Sequence, residues 1–143
     1  GGMGTMGYSL PAAIGAYFAE KEKSLSHLPS KDSQIIAVMG DGAFQMSLME
    51  LATLRQFGAH VKLIVFHNGV LGLVRQYQKT VYKDHFSMID LSGNPDLSLL
   101  SKAYGLNYFS IKGNAEVKSG IREFLDNEEN GILEVFVDAN EVA

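Results

Sequence analysis

The chain has 143 residues, 46% of them hydrophobic and 20% charged, the balance of one soluble globular domain rather than a disordered or fibrous segment. It contains no cysteine, which removes disulfide scaffolds, thiolate metal sites, iron–sulfur clusters and cysteine nucleophiles together. Its net charge of −4 has the wrong sign for a general nucleic-acid binder, no apolar run approaches the ~20 residues of a membrane span, and the N-terminus lacks a signal-peptide pattern. The expectation is a cytoplasmic protein that binds neither nucleic acid nor membrane.

Pro11 suits a first helical turn and alanines dominate the residues after it, which predicts a helix over about 9 to 23, apolar enough that most of it is buried. The stretch from Glu20 to Ser33 mixes charge, serine and Pro29 without periodicity and reads as a solvated connection. Gln34 to Met39 is a short β-branched apolar run, the pattern of a strand covered on both faces, and it stops at Gly40-Asp41-Gly42. Phe44, Leu48, Leu51 and Leu54 recur at helical spacing, predicting one helix from Ala43 to about Gln56 that ends at Gly58. Val61 to Phe66 is a second buried strand, ending in the polar loop His67 to Gly72. Helices are predicted next at Leu73 to about Val81 and Pro95 to Tyr104, then a strand Tyr108 to Ile111, a helix Ala115 to Leu125 and a strand Ile132 to Val137. Strand and helix alternate from residue 34 onward with no hairpin signal, so the expected fold is α/β, a parallel sheet with helices on both faces.

Glycine is the one residue above average usage, and eight of the 15 (Gly1, Gly2, Gly4, Gly7, Gly40, Gly42, Gly69, Gly72) fall in three short segments. In an open parallel sheet, ligands sit beyond the carboxyl ends of strands, where strand order reverses. Asp41 comes directly after one buried strand, and Asn68 after the next, twenty-seven positions on. A carboxylate, an amide oxygen and a nearby main-chain carbonyl make a hard half shell of the kind Mg²⁺ takes, completed by phosphate oxygens and water. Gly42 and Ala43 open a helix whose free N–H groups favour an anion. A lone Asp-Gly is ordinarily a cap or a turn; here a glycine stands on each side, a strand precedes, a helix comes after, and Asn-Gly ends the next strand.

Gly40-Asp41-Gly42 with Asn68 downstream resembles the thiamine-diphosphate signature. The segment Gly1 to Ala16, Gly40 to Met46, Glu50-Leu51-Ala52-Thr53, Leu71 to Gln76, Tyr82, Asn94-Pro95-Asp96 and Ala103-Tyr104-Gly105 extend the resemblance to the C-terminal domain of the acetolactate synthases. The resemblance implies that Asp41 and Asn68 give side-chain oxygens to Mg²⁺ and Val70 its carbonyl. It implies further that Gly42, Ala43, Leu71 and Gly72 face the diphosphate with main-chain N–H groups, that the Gly4 carbonyl accepts from the pyrimidine amino group, and that Met6 wedges the cofactor into its bent form. Acetolactate synthases decarboxylate pyruvate and join the product to a second 2-keto acid in branched-chain amino acid synthesis. Another thiamine-diphosphate decarboxylase or carboligase is the alternative, and a non-catalytic module with the same fold a third reading.

In that family the glutamate against pyrimidine N1′ lies in an N-terminal domain of a partner subunit, so no catalytic residue is expected in this chain, and FAD belongs, if anywhere, to a separate middle domain. The chain is expected to be the excised cofactor domain of a longer, homo-oligomeric enzyme, silent by itself, with apolar surface including Met3, Met6 and Phe44 left for the other domains. It departs from the family pattern in His67, which replaces the first Asn of Asn-Asn, in Tyr77 where many synthases have Trp, and in the length of the Glu20 to Ser33 connection.

Gly2 to Gly7 also satisfies Gly-x-Gly-x-x-Gly, but no strand precedes it as dinucleotide binding requires. Glu50 reads as a structural ion pair or interface hydrogen bond, and His27, His60 and His85 read as surface. Phe44, Met46, Leu48 and Met49 read as core or interface. Gln76 and Tyr77 fit either a substrate channel or the face of a packed amphipathic helix.

Overall fold

The computed structural model describes residues 3–26 and 34–141. Gly1, Gly2, His27 and the second half of the Glu20 to Ser33 connection lie outside them. In chain order the elements are α1 (Ser9–Ser26), β1 (Ile36–Gly40), α2 (Asp41–Met46), α3 (Glu50–Phe57), β2 (Lys62–His67), α4 (Gly72–Val81), α5 (Leu97–Tyr104), β3 (Asn107–Ile111), a 3₁₀ turn (Asn114–Glu116), α6 (Val117–Asp126) and β4 (Gly131–Phe136).

The four strands form one sheet in the order β1-β2-β4-β3, parallel throughout, with Ile36 opposite Lys62, Lys62 opposite Gly131 and Asn107 opposite Gly131. Side chains alternate between faces with period two. Ala37, Met39, Leu63, Val65 and Ile132 point to one face and meet Leu10, Ala13 and Ile14 of α1, Phe44 of α2, Leu51 and Leu54 of α3 and Leu97 of α5 in the main core. On the other face Phe124 of α6 packs on Ile111 and Leu133 in a smaller core. Helices therefore lie on both faces, as the alternation predicts.

Four expectations need correction. The helix foreseen over Ala43 to Gln56 is two helices: i→i+3 bonds from Ser47 N to Phe44 O, Glu50 N to Ser47 O and Leu51 N to Leu48 O tighten the chain between them, and no Pro or Gly marks the place. Among the described residues, Ser47 Oγ in that bend is the single buried side-chain polar atom without a partner. Helix α1 runs on through Glu20 to Ser26 and, among its described side chains, buries only the stripe of Leu10, Ala13 and Ile14, with Tyr17 and Phe18 partly covered. Strand β1 is covered on one face only: Ala37 and Met39 are buried, whereas Ile36 is 40% and Val38 51% exposed, because the second-face helix α6 packs over β3. Phe44 is core, 1% exposed, and not surface for another domain; Met3 and Met6 are exposed as foreseen.

Helix ends obey local chemistry. Gly58 adopts φ +59 at the end of α3 and receives no Cβ penalty there. Asp96 caps α5 by accepting from Ser98 N and Leu99 N. Among the described residues no helix is long and apolar enough to cross a membrane.

Candidate functional site

Both chemically marked loops leave carboxyl ends of adjacent strands, β1 and β2. The reversal of strand order among these four strands falls instead where β3 returns to β4, so the site occupies the carboxyl edge of the sheet without sitting at that reversal. The two loops enclose a cavity of about 350 Å³ lined by Met6, Asp41, Gly42, Ala43, Asn68, Val70, Leu71 and Gly72 among others. Gly4 is the one expected site residue outside that lining; it is exposed, with φ +60. A larger groove of about 530 Å³ lies at the opposite, amino end of the strands, around Gln34, His60, Lys62 and Asn130; none of the expected cofactor residues reaches it.

Asp41 is the first residue of α2 and is 5% exposed. Its Oδ1 accepts from Gly42 N at 2.9 Å. Its Oδ2 accepts from Gly69 N at 2.8 Å and from Asn94 Nδ2 at 2.8 Å. A carboxylate offers about four lone-pair positions, so three donors fix its orientation and leave Oδ1 one direction free. Asn68 Oδ1 accepts from Val70 N at 3.0 Å across an Asx turn, again with one lone pair to spare. Gly69 makes that turn possible with φ +68. The donor set thus fits a hard cation: one carboxylate, one amide oxygen and a loop carbonyl. Among the described residues no group of three or more His, Asp or Glu gathers to hold a metal, so an ion here would complete its shell with ligand oxygens and water.

Gly42 keeps the floor of the cavity open. A Cβ placed on it would stand 3.0 Å from Leu71 Cδ2, 3.1 Å from Leu91 Cδ1 and 3.3 Å from Met6 Cε, so Met6 and Leu71 close over a position that only glycine leaves bare. One detail departs from expectation. The Leu71 N–H already donates to the Ile89 carbonyl at 2.9 Å, while Leu91 N donates to Gly69 O at 2.9 Å; with this strand-like bridge between the loop and segment 89–91 in place, Leu71 lines the cavity through its side chain and its amide is not available to an anion.

The structure adds residues that sequence reasoning did not assign to the site. Asn94 holds Asp41 from the side, its own Oδ1 accepting from Gln45 Nε2. His67 presents Nε2 at 4.0 Å from Asp41 Oδ2, while its Nδ1 lies 2.5 Å from Glu134 Oε1. Glu134 is 4% exposed, and its Oε2 accepts from the Tyr108 hydroxyl at 2.5 Å. Burial, then the hydrogen bond to Glu134, pushes the Tyr108 hydroxyl well above the usual phenol range. A lone acid inside Ile132-Leu133-Glu134-Val135 was the signal that could have found this network. Glu141 also reaches the rim of the cavity. Among the described residues the half-buried Glu50 side chain has no ionic or hydrogen-bonding partner, so the expected ion pair is not made within them. His60 and His85 are exposed, as expected. Met46 and Met49 are exposed too, and Leu48 packs against the core. Helix α4 buries none of its residues, and Tyr77 stands 57% exposed on it.

A parallel sheet with an Asp–Gly cradle and an Asn loop at its carboxyl edge defines a class of cofactor domain, and comparison with known proteins places the chain in it: residues 1–135 match the family described as thiamine pyrophosphate enzyme, C-terminal TPP binding domain, and the chain belongs to that family. Within it, the chain is similar to acetolactate synthases. It is 35% identical to that of Arthrospira platensis over 99% of this chain and 23% of the relative, and 38% identical to the mitochondrial catalytic subunit of Saccharomyces cerevisiae over 96% of this chain and 18% of the relative. Among solved structures it superposes on benzoylformate decarboxylase from Polynucleobacter necessarius with TM-score 0.80 at 26% identity, covering 99% of this chain and 25% of that one. The chain spans less than a quarter of the length of these curated relatives.

Proposed function

We propose that this chain is the cofactor domain of an acetolactate synthase, in which thiamine diphosphate and Mg²⁺ sit in the cavity between the β1 and β2 loops. In that reading Asp41, Asn68 and the Val70 carbonyl hold the ion, Gly42, Ala43 and Gly72 border the diphosphate, and Gly4 and Met6 meet the pyrimidine and the bend of the cofactor. When bound, the cofactor supplies the carbon that attacks a 2-keto acid and stabilises the negative charge left by loss of carbon dioxide. The chain's own part is to hold the ion, exclude water and keep the cofactor's two rings in their reactive arrangement.

The observation that carries the proposal is the convergence of eight expected residues on one cavity, with the Asp41 carboxylate oriented by three donors and open in one direction. In the proposal the glutamate that thiamine-diphosphate chemistry uses on the pyrimidine comes from another domain, Glu141 standing only at the rim of the cavity, and the exposed apolar residues of α4 (Leu73, Val74, Tyr77, Val81) are surface for a neighbouring domain or subunit of a homo-oligomer. FAD, if used, binds elsewhere in the longer enzyme, and a cytoplasmic setting belongs to the same proposal. The similarity to benzoylformate decarboxylase keeps a second reading in view, a decarboxylase or carboligase acting on a bulkier 2-keto acid.

The test is calorimetric titration of the full-length protein with thiamine diphosphate and Mg²⁺, with pyruvate and benzoylformate as assay substrates. Asp41→Ala removes the only full negative charge among the proposed ligands of the ion and should abolish Mg²⁺-dependent binding with the fold intact, and Asn68→Ala should weaken it less. Unchanged affinity in Asp41→Ala refutes the site, and turnover of benzoylformate but not pyruvate selects the second reading.

A further inference from the structure

Helix α4 turns polar residues inward and its apolar ones outward. None of its ten residues is buried. Arg75, Gln76 and Gln78 are half-buried, whereas Leu73, Val74, Tyr77 and Val81 stand 42–75% exposed. A helix of this length is marginal alone and is ordinarily fixed by burying an apolar stripe. Among the described residues α4 lacks that hold, and side-chain ties take its place.

The Gln78 amide pairs with the main chain of Ser87 as a neighbouring strand would: its Nε2 donates to the Ser87 carbonyl at 3.0 Å and its Oε1 accepts from the Ser87 N–H at 2.9 Å. The Arg75 guanidinium lies over Phe86, 4.6 Å from the ring centroid, and its Nη2 donates to Asn140 Oδ1 at 2.8 Å. Asn140 is presented by Asp138, whose Oδ1 accepts from Asn140 N at 2.7 Å and Nδ2 at 2.9 Å. The chain reaches these contacts by doubling back after α4 with Lys83, Asp84 and Met88 at φ +50, +64 and +55. Those are left-handed conformations, costly for residues with a side chain, and they persist only where the surroundings hold them. Ile89 and Leu91 of the same return segment bond to Leu71 and Gly69 of the cavity loop. Helix, return segment and cavity loop thereby close on one another, and the first turns of α4 line the cavity with Gly72, Leu73, Val74 and Gln76.

We propose that Arg75 and Gln78 are positioning residues for the cofactor cavity: they hold α4 against the return segment and the turn at Asp138 to Asn140, and so fix the wall that its first turns supply. This rests on the thiamine-diphosphate reading of the cavity. Neither side chain lines the cavity, so both act through the helix. Isolated surface contacts contribute little, but these are paired and planar. Gln78 makes two bonds to one residue, and Arg75 is bonded at its edge while its face lies on an aromatic ring, geometry that sets orientation as well as proximity.

The experiment uses the full-length protein and reads two quantities: amide hydrogen exchange along α4, and thiamine diphosphate affinity at saturating Mg²⁺ by calorimetry. Arg75→Met keeps an apolar stem on Phe86 and removes the fork; Gln78→Leu keeps the bulk and removes both bonds. In the double variant α4 should exchange about tenfold faster with exchange in the sheet unchanged, and affinity should fall about 3- to 10-fold. Saturating thiamine diphosphate should narrow the difference in α4 exchange from the parent, since cofactor and ties then favour the same placement of the helix. Asn140→Ala, on the exposed turn, reaches the Arg75 tie without altering α4; it should weaken affinity in the same direction and add nothing to Arg75→Met. Exchange and affinity within about twofold of the parent in the double variant overturn the positioning role, as do faster exchange with unchanged affinity and fully additive losses for Asn140→Ala with Arg75→Met. A parent that binds no thiamine diphosphate overturns the reading of the cavity, and this inference with it, before any variant is compared.

Discussion

Asn94 gives the most direct test of how the cavity is held together. Its Nδ2 donates to Asp41 Oδ2 at 2.8 Å and its Oδ1 accepts from Gln45, so the amide is oriented at both ends. Asn94→Ala leaves Oδ2 with the Gly69 amide as its only close donor. A hydrogen bond to a charged group contributes about 1.5–3 kcal/mol; since Asn94 is half-buried and Gly69 remains, the lower part of that range applies, about 1.5–2 kcal/mol, or roughly a 10- to 30-fold change in an equilibrium constant. The loss should be seen in urea unfolding of the 143-residue chain without metal, and part of it again as weakened Mg²⁺-dependent cofactor binding in the full-length protein. Asn94→Asp provides the control of sign: it sets a second carboxylate against Oδ2, and without metal it should destabilise more than Asn94→Ala. If Asn94→Ala unfolds within about 0.5 kcal/mol of the parent, the range of an inert surface change, or if Asn94→Asp is no worse, then Asp41 is not oriented from this side.

Two further expectations concern the frame that carries the site. Lys62, 7% exposed, donates Nζ to the Phe124 carbonyl at 2.6 Å and to that of Asn127, closing the end of α6; Lys62→Met should cost about 1–2 kcal/mol in urea unfolding. Burial pulls the Lys62 ammonium below its usual range, with Asp126 opposing. The unfolded chain therefore holds that proton more tightly, so Lys62 contributes a gain in stability as pH rises from its lowered folded-state pKa to the ordinary lysine value of about 10.4, a gain that Lys62→Met should lack. Gly120→Ala in α6 would place a Cβ 2.8 Å from Ile111 Cγ1, and the overpacking of about 1–3 kcal/mol should outweigh the better helix propensity of alanine; a variant more stable than the parent in thermal unfolding would show that Ile111 gives way.

Local signals in the sequence settled the fold class and located the two loops that line the cavity. Alternating apolar runs and helical periods located every strand to within a residue or two, because each run is short, bounded by polar or glycine breaks, and buried on at least one face. Gly40-Asp41-Gly42 and Asn68 announced the two loops because a strand-to-helix turn and an Asx turn impose residue types directly on the chain. What the sequence could not carry was anything set by register between strands. Glu134, His67 and Tyr108 lie far apart along the chain and meet only because β3, β4 and β2 pair in parallel with a particular offset. Asn94 reaches Asp41 only because segment 89–91 bridges to the loop after β2. The amide of Leu71 is engaged by that same bridge, a competition between main-chain partners that local sequence does not encode. The break between α2 and α3 and the bare outer face of β1 have the same origin: both are decided by which neighbour packs where, and helix α6 covers β3, leaving Ile36 and Val38 open on the opposite side of the sheet's width.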